Sequence, residues 1–184
     1  FFGTLYNTYS FFALYANIDG FTGQEAEVPV EQRPEIDRWI LSELNTLIKD
    51  VTAYLEDYDP TPAARCIDAF VNDNLSNWYV RLNRKRFWAG EMTEDKISAY
   101  QTLYECLLTV SHLMAPIAPY YADRLYRDLT AVVSEKAESV HLALFPKADE
   151  ALIDKNLEQQ MQLAQKVTSM VLSLRKKERI IVRQ

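Results

Sequence analysis

Glycine is scarce, with four in 184 residues. Strands joined by hairpins and tight turns draw on glycine for left-handed backbone, so so few of them excludes a turn-rich β architecture and favours helices. Gly3, Gly20, Gly23 and Gly90 are also too scattered to form a phosphate-cradling loop or a dinucleotide fingerprint. Histidine is scarcer still. His112 and His141 each stand alone among apolar residues, without the histidine–glutamate spacing of a zinc helix or the carboxylate–histidine pairing of a di-metal bundle, so both read as structural. The two cysteines, Cys66 and Cys106, fall inside apolar helical patterns and read as small buried residues rather than a disulfide or metal ligands. The acids Glu56, Asp57 and Asp59 lack the central glycine of a calcium loop and read as a solvated turn. No catalytic residue or metal site is therefore predicted. No apolar run approaches the ~20 residues of a membrane span, and the opening residues do not show a basic head followed by an apolar run and a small-residue cleavage site. A cytoplasmic protein without membrane contact is expected.

What is present is the composition of a folded domain: 48% hydrophobic and 25% charged residues, in a length suited to one compact unit. The chain opens on Phe1-Phe2 and stops at Arg183-Gln184, and reads as a piece of a longer protein.

Helical periodicity dominates. Aromatics and leucine fill residues 1–17, predicting a helix buried on most sides that Asp19-Gly20 ends. The stretch 21–34, with Gly23, Pro29 and Pro34, reads as a loop. From Glu35 to Tyr58 one face carries Ile36, Ile40, Leu44, Leu47, Val51, Tyr54 and Tyr58. Thr61-Pro62 then offers an N-cap and a first-turn proline for a second long helix with Ile67, Val71, Leu75, Trp78 and Leu82 inward, running to about Trp88. Thr93 caps a third, which Pro116 interrupts, and Pro119 opens a fourth. Residues 139–146 read as an extended connection. A last helix spans Asp149 to about Ile181, with Leu157, Met161, Ala164, Val167, Val171 and Leu174 inward. The predicted fold class is all-α, an antiparallel helix bundle.

Net charge is −6, which on its own argues against a polyanionic partner. The bases are concentrated, however. Trp78 to Trp88 holds Arg81, Arg84, Lys85 and Arg86 without an acid, and Ser173 to Gln184 holds Arg175, Lys176, Lys177, Arg179 and Arg183 against Glu178 alone. At 100° per residue, Asn77, Arg81, Arg84 and Trp88 form a stripe beside the predicted core face. Guanidinium groups bind phosphate and base edges, asparagine reads base edges, and tryptophan gives an unpaired base a stacking surface. The same residues also suit a solvated helix face with Trp88 as a core cap, and cations at the end of the last helix suit its dipole.

The segment NDNLSNWYVRLNRKRFW at 72–88 resembles the motif of the anticodon-binding region of isoleucyl-tRNA synthetases. The likeness extends in order through FFGTLYNTYSFFALYANIDGF at 1–21, IDRWILSELNTLIKDV at 36–51, LMAPIAPYYADRLY at 113–126, SVHLALFP at 139–146 and RIIVRQ at 179–184. It implies the class Ia synthetase type of anticodon-binding helix bundle, one domain across 1–184. It further implies a longer parent that joins isoleucine to its tRNA using ATP with magnesium, with activation and editing domains in the same chain. The ATP-site signatures HIGH and KMSKS have no counterpart here, so no cofactor is expected in this part. The expected partner is the anticodon stem-loop of tRNA(Ile), met by Asn77, Arg81, Arg84, Lys85 and Trp88 and by Arg175, Lys176, Arg179 and Arg183. The competing expectation is a helical interaction or scaffold domain whose helix ends happen to be basic.

Overall fold

A computed structural model describes residues 1–133 and 136–180, and every regular element among them is helical. The chain divides into two compact units, Phe1–Ile153 and Asp154–Gln184.

In the first unit, α1 (Phe2–Asp19) ends on Gly20, whose φ of 71° lets its N–H reach the Ala16 carbonyl. Its buried residues are Leu5, Thr8, Phe12 and Ala16, one narrow stripe at spacings of three and four. The helix is thus not buried on most sides: Tyr6 and Ile18 are exposed, because only this stripe meets neighbours. Helix α2 (Glu35–Glu56) buries Trp39, Ile40, Leu44, Leu47, Ile48 and Val51 against α3 and α5. It stops short of Tyr58, which takes a left-handed φ of 58° and points into solvent. The cap of α3 (Pro60–Ala69) is Asp59, whose carboxylate accepts from the Thr61 N–H. Pro60, rather than Pro62, therefore opens the helix.

Helix α3 runs without a break into a π-helical segment, Phe70–Val80, and on into α4 (Arg81–Trp88). The Arg81 N–H bonds the Ser76 carbonyl, five residues back. Along this rod every fourth residue is buried: Ala63, Ile67, Val71, Leu75, Tyr79, Asn83 and Phe87. Such a stripe drifts around an α-helix, by 40° per step at 100° per residue, but the roughly 4.4 residues per turn of a π-helix drift the other way. The segment straightens the stripe and moves the core register off the predicted one. Leu82 is consequently 55% exposed and Trp78 only half-buried.

Helix α5 (Glu94–Met114) is the centre of the unit, touching α1, α2, α3, α4 and α6. Thr93 caps it by accepting from the Lys96 N–H. Phe87, Phe21 and Phe12 pack around the Tyr100 ring of α5. Pro119 opens α6 (Pro119–Leu129), which buries Leu125 and Leu129. Residues 139–146 are mostly extended, with one 3-10 turn at Val140–Leu142 held because the Asp123 carboxylate accepts from the Ser139 hydroxyl and the Val140 N–H. The 21–34 connection is pinned to α5: Arg33, 4% exposed, donates to the Val28 carbonyl at 2.9 Å and the Thr102 hydroxyl at 3.0 Å.

The second unit holds α7 (Lys155–Lys177), capped by Asp154 through the N–H groups of Asn156 and Leu157. Its start lies beyond the expected Asp149, which instead caps a separate 3-10 turn, Glu150–Leu152. Of the residues expected inward, Leu157 is buried, whereas Val167, Val171 and Leu174 are exposed. The predicted end at Ile181 lies outside the described residues.

Candidate nucleic-acid interface

The basic window on the π segment and α4 separates into two groups of opposite orientation. Arg86 turns inward. Its guanidinium donates to both oxygens of Asp37, at 2.6 and 2.8 Å, and Asp37 is fully buried. The Tyr79 hydroxyl adds a bond of 2.9 Å to the same carboxylate. Arg86 also meets the Asp95 carboxylate and carbonyl and the Ser98 and Asn83 oxygens, so five donors find acceptors in one place. Burial alone would lower the Arg86 pKa, but the hydrogen bonds and charge of Asp37 raise it above its ordinary value. Burial, and then the charge of Asp37, push the Tyr79 phenol well up. This cation is structural, although its sequence neighbours gave it the look of a surface base.

Asn77, Arg81, Arg84, Lys85 and Trp88 turn outward, and all five are exposed. Among the described residues the side chains of Arg81, Arg84 and Lys85 have no acid within ion-pair distance and no hydrogen bond. Trp88 is 55% exposed, whereas Phe87 beside it is buried, so Phe87 and not Trp88 closes the core at this end. The sequence stripe is therefore a surface stripe: three cations without a partner among the described residues, one amide and one indole on the outer side of a rod whose inner side is fixed by Arg86.

The C-terminal bases form a separate group in the second unit. Arg175 and Lys176 lie in the last turn of α7, Arg179 follows its Glu178 cap with φ 55°, and Arg183 lies outside the described residues.

Besides Arg33, two buried ions on the helices of the first unit escaped the sequence reading. Lys96, 1% exposed, places its ammonium 2.6 Å from Asp19, and Asp37 anchors Arg86. A signal existed for each. Asp37 stands three and seven residues before the buried Ile40 and Leu44, and Lys96 stands three, four and seven before the buried Ala99, Tyr100 and Leu103, so both charges occupy core positions of their helices. Among the described residues no group of three or more histidine, cysteine, aspartate or glutamate side chains is placed to hold a metal, and no helix is long and apolar enough to cross a membrane. His112 Nδ1 lies 2.8 Å from the Leu108 carbonyl and His141 Nε2 lies 3.3 Å from that of Pro119, so both histidines have backbone partners. Both cysteines are free; Cys106 is buried and Cys66 only partly so.

A family model described as the anticodon-binding domain of tRNA ligase matches residues 37–184. The chain belongs to this family. The match takes in Asp37, the π segment, α4 and the basic end of α7 together. Relatives include the isoleucine–tRNA ligases of Porphyromonas gingivalis, 68% identical over all of this chain, and Bacteroides thetaiotaomicron, 69% identical over all of it. That of Dehalococcoides mccartyi is 54% identical over 98% of the chain. The chain spans 16–18% of the length of these relatives. The all-helical bundle expected of an anticodon-binding domain is the fold observed.

Proposed function

We propose that this chain is the part of an isoleucine–tRNA ligase that holds the anticodon stem-loop of tRNA(Ile), with activation, editing and the ATP and magnesium they require supplied by other parts of a longer cytoplasmic protein. The observation that carries the reading is the sorting of charge on α4. In a chain of net charge −6, the one inward cation of this window is neutralised by Asp37 and Asp95, and the three outward ones are left for an external anion. Phosphates of an RNA backbone supply that anion, and the unpaired bases of a loop supply a ring for Trp88 and edges for Asn77 and Arg84. Arg175, Lys176, Arg179 and Arg183 are proposed as further, separate phosphate-binding cations.

The test is made in the full-length protein. Arg81→Ala and Arg84→Ala are expected to slow charging of tRNA(Ile) while isoleucine-dependent ATP–pyrophosphate exchange continues at the unaltered rate. Each lost phosphate contact should also reduce the salt slope of tRNA affinity by about one. Charging at the original rate by both variants would remove this face from the account.

A further inference from the structure

The indole of Trp88 is the last side chain of α4, and the chain leaves the helix immediately after it, with Ala89 at φ −59° and ψ 139°. Residues 89–92 are exposed, and α5 begins at Glu94. A stacking platform at such a helix end would swing with the turn unless something held the turn. One side chain does so: the Lys96 ammonium donates to the Ala89 carbonyl at 2.5 Å. The same ammonium lies against Asp19, and Asp19 in turn accepts from the Tyr100 hydroxyl. Asp19 is the last residue of α1, where a carboxylate opposes the helix dipole, so its place is not explained by α1 itself. Lys96 therefore ties the end of α1, the body of α5 and the carbonyl next to Trp88 into one point.

We infer that Lys96 is a positioning residue for the RNA-facing end of α4: its buried ammonium, clamped between Asp19 and the Ala89 carbonyl, sets the direction in which Trp88 is presented. Burial raises the Asp19 pKa, but the hydrogen bonds from Lys96 and Tyr100 and the charge of Lys96 outweigh it and hold the carboxyl below its ordinary range. A buried ion pair is poor evidence of stabilisation, since an apolar pair of similar volume often serves as well. Its directional bonds are what an apolar contact cannot replace, and they end on the turn that carries Trp88. Arg86 performs the companion task one half-turn earlier by fixing the inner side of α4 on Asp37.

The inference rests on the proposed RNA role only for its consequence, and its test separates the two. The chain is labelled with 5-fluorotryptophan, and the Trp88 resonance is assigned by its loss in Trp88→Phe. In Lys96→Met the Trp88 fluorine signal should shift or broaden, while that of Trp78, ten residues earlier on the same rod, stays in place; Lys96→Arg, which keeps charge and donors, should restore much of the original spectrum. Binding of an RNA hairpin carrying the isoleucine anticodon should weaken about fivefold in Lys96→Met, as expected of a residue acting through a neighbour rather than by contact. If Lys96→Met does not fold, Asp19→Asn, which leaves the lysine but removes the charge that clamps it, should move the Trp88 signal in the same way by less. An unmoved Trp88 signal in a folded variant overturns the positioning role. A moved signal with no measurable hairpin binding by the unaltered chain supports positioning and counts against the RNA reading instead.

Discussion

Asp37→Asn isolates the inner anchor of α4. The substitution keeps the shape of the side chain and removes the charge that faces Arg86 across bonds of 2.6 and 2.8 Å. Asp37 is fully buried, and the Arg86 side chain is 14% exposed, so water can do little to replace the lost partner. Removing one member of a buried pair typically costs about 3–5 kcal/mol. Here Arg86 retains Asp95, which is itself half in solvent, and that places the expected loss near the lower end, about 3 kcal/mol. For a domain of this size 1 kcal/mol corresponds to roughly 2–4 °C, so melting should fall by roughly 6–12 °C. Thermal unfolding followed by circular dichroism gives the value. Arg86→Met alone should be at least as harmful, because it leaves a buried carboxylate with only Tyr79 and Ser98 for partners. The double variant Asp37→Asn/Arg86→Met should lose less than the sum of the two, with a coupling of about 1–3 kcal/mol. An Asp37→Asn protein melting within about 2 °C of the original would show that Arg86 is not held by this carboxylate, and the division of α4 into inner and outer cations would fall with it.

Trp88→Ala should leave melting nearly unchanged, since the ring is 55% exposed, and should weaken binding of the anticodon hairpin by about 1–3 kcal/mol; titration calorimetry beside a melting curve distinguishes this from a core role, which would invert the two results. Leu82→Ala and Phe87→Ala test the register of the π segment: changes of under about 0.5 kcal/mol at the exposed leucine and roughly 3–5 kcal/mol at the buried phenylalanine are expected in urea denaturation, and equal losses would contradict the register. The phenols of Tyr79 and Tyr100 are both raised above the ordinary value of 10.0, chiefly by burial and then by Asp37 and Asp19 respectively. A raised folded pKa contributes stability that is whole below the unfolded value and lost as pH climbs toward the folded one. The urea midpoint should therefore fall above pH 10, less steeply in Tyr79→Phe, and a midpoint unchanged to about pH 12 would refute the burial of these hydroxyls.

The sequence carries the helix starts at Thr93 and Pro119, the stops at Gly20 and Pro116, and the outward stripe of α4, because caps, breakers and periodicity are local. It carries the core register of the rod only as far as the helix stays α; the five-residue backbone bond at Arg81 ends a segment packed against α1 and α2, and no residue type from Phe70 to Val80 announces it. The role of Arg86 was hidden for a related reason. Its partner lies 49 residues away, so charge counted in a window places it with Arg81 and Arg84 although it faces the opposite way. The exposure of Tyr6 and Ile18 on α1 was likewise invisible, since hydrophobicity says what can be buried and not how many neighbours arrive to bury it.

The connection between α1 and α2 has the punctuation of a loose loop, yet the Val28 N–H donates to the Gln101 side chain at 3.0 Å, and Gln101 donates to the Ala26 carbonyl at 3.0 Å. These partners stand 73 and 75 residues away along the chain, so the bonds that tie the segment to the bundle cannot form until α5 is in place. In a refolding time course, deuterium labelling of the Val28 amide should become blocked in step with the docking of α5 and after the local turns of α1 and α2 have closed. Limited proteolysis of the folded protein should for the same reason spare residues 26–33 and begin at exposed turns such as residues 90–92.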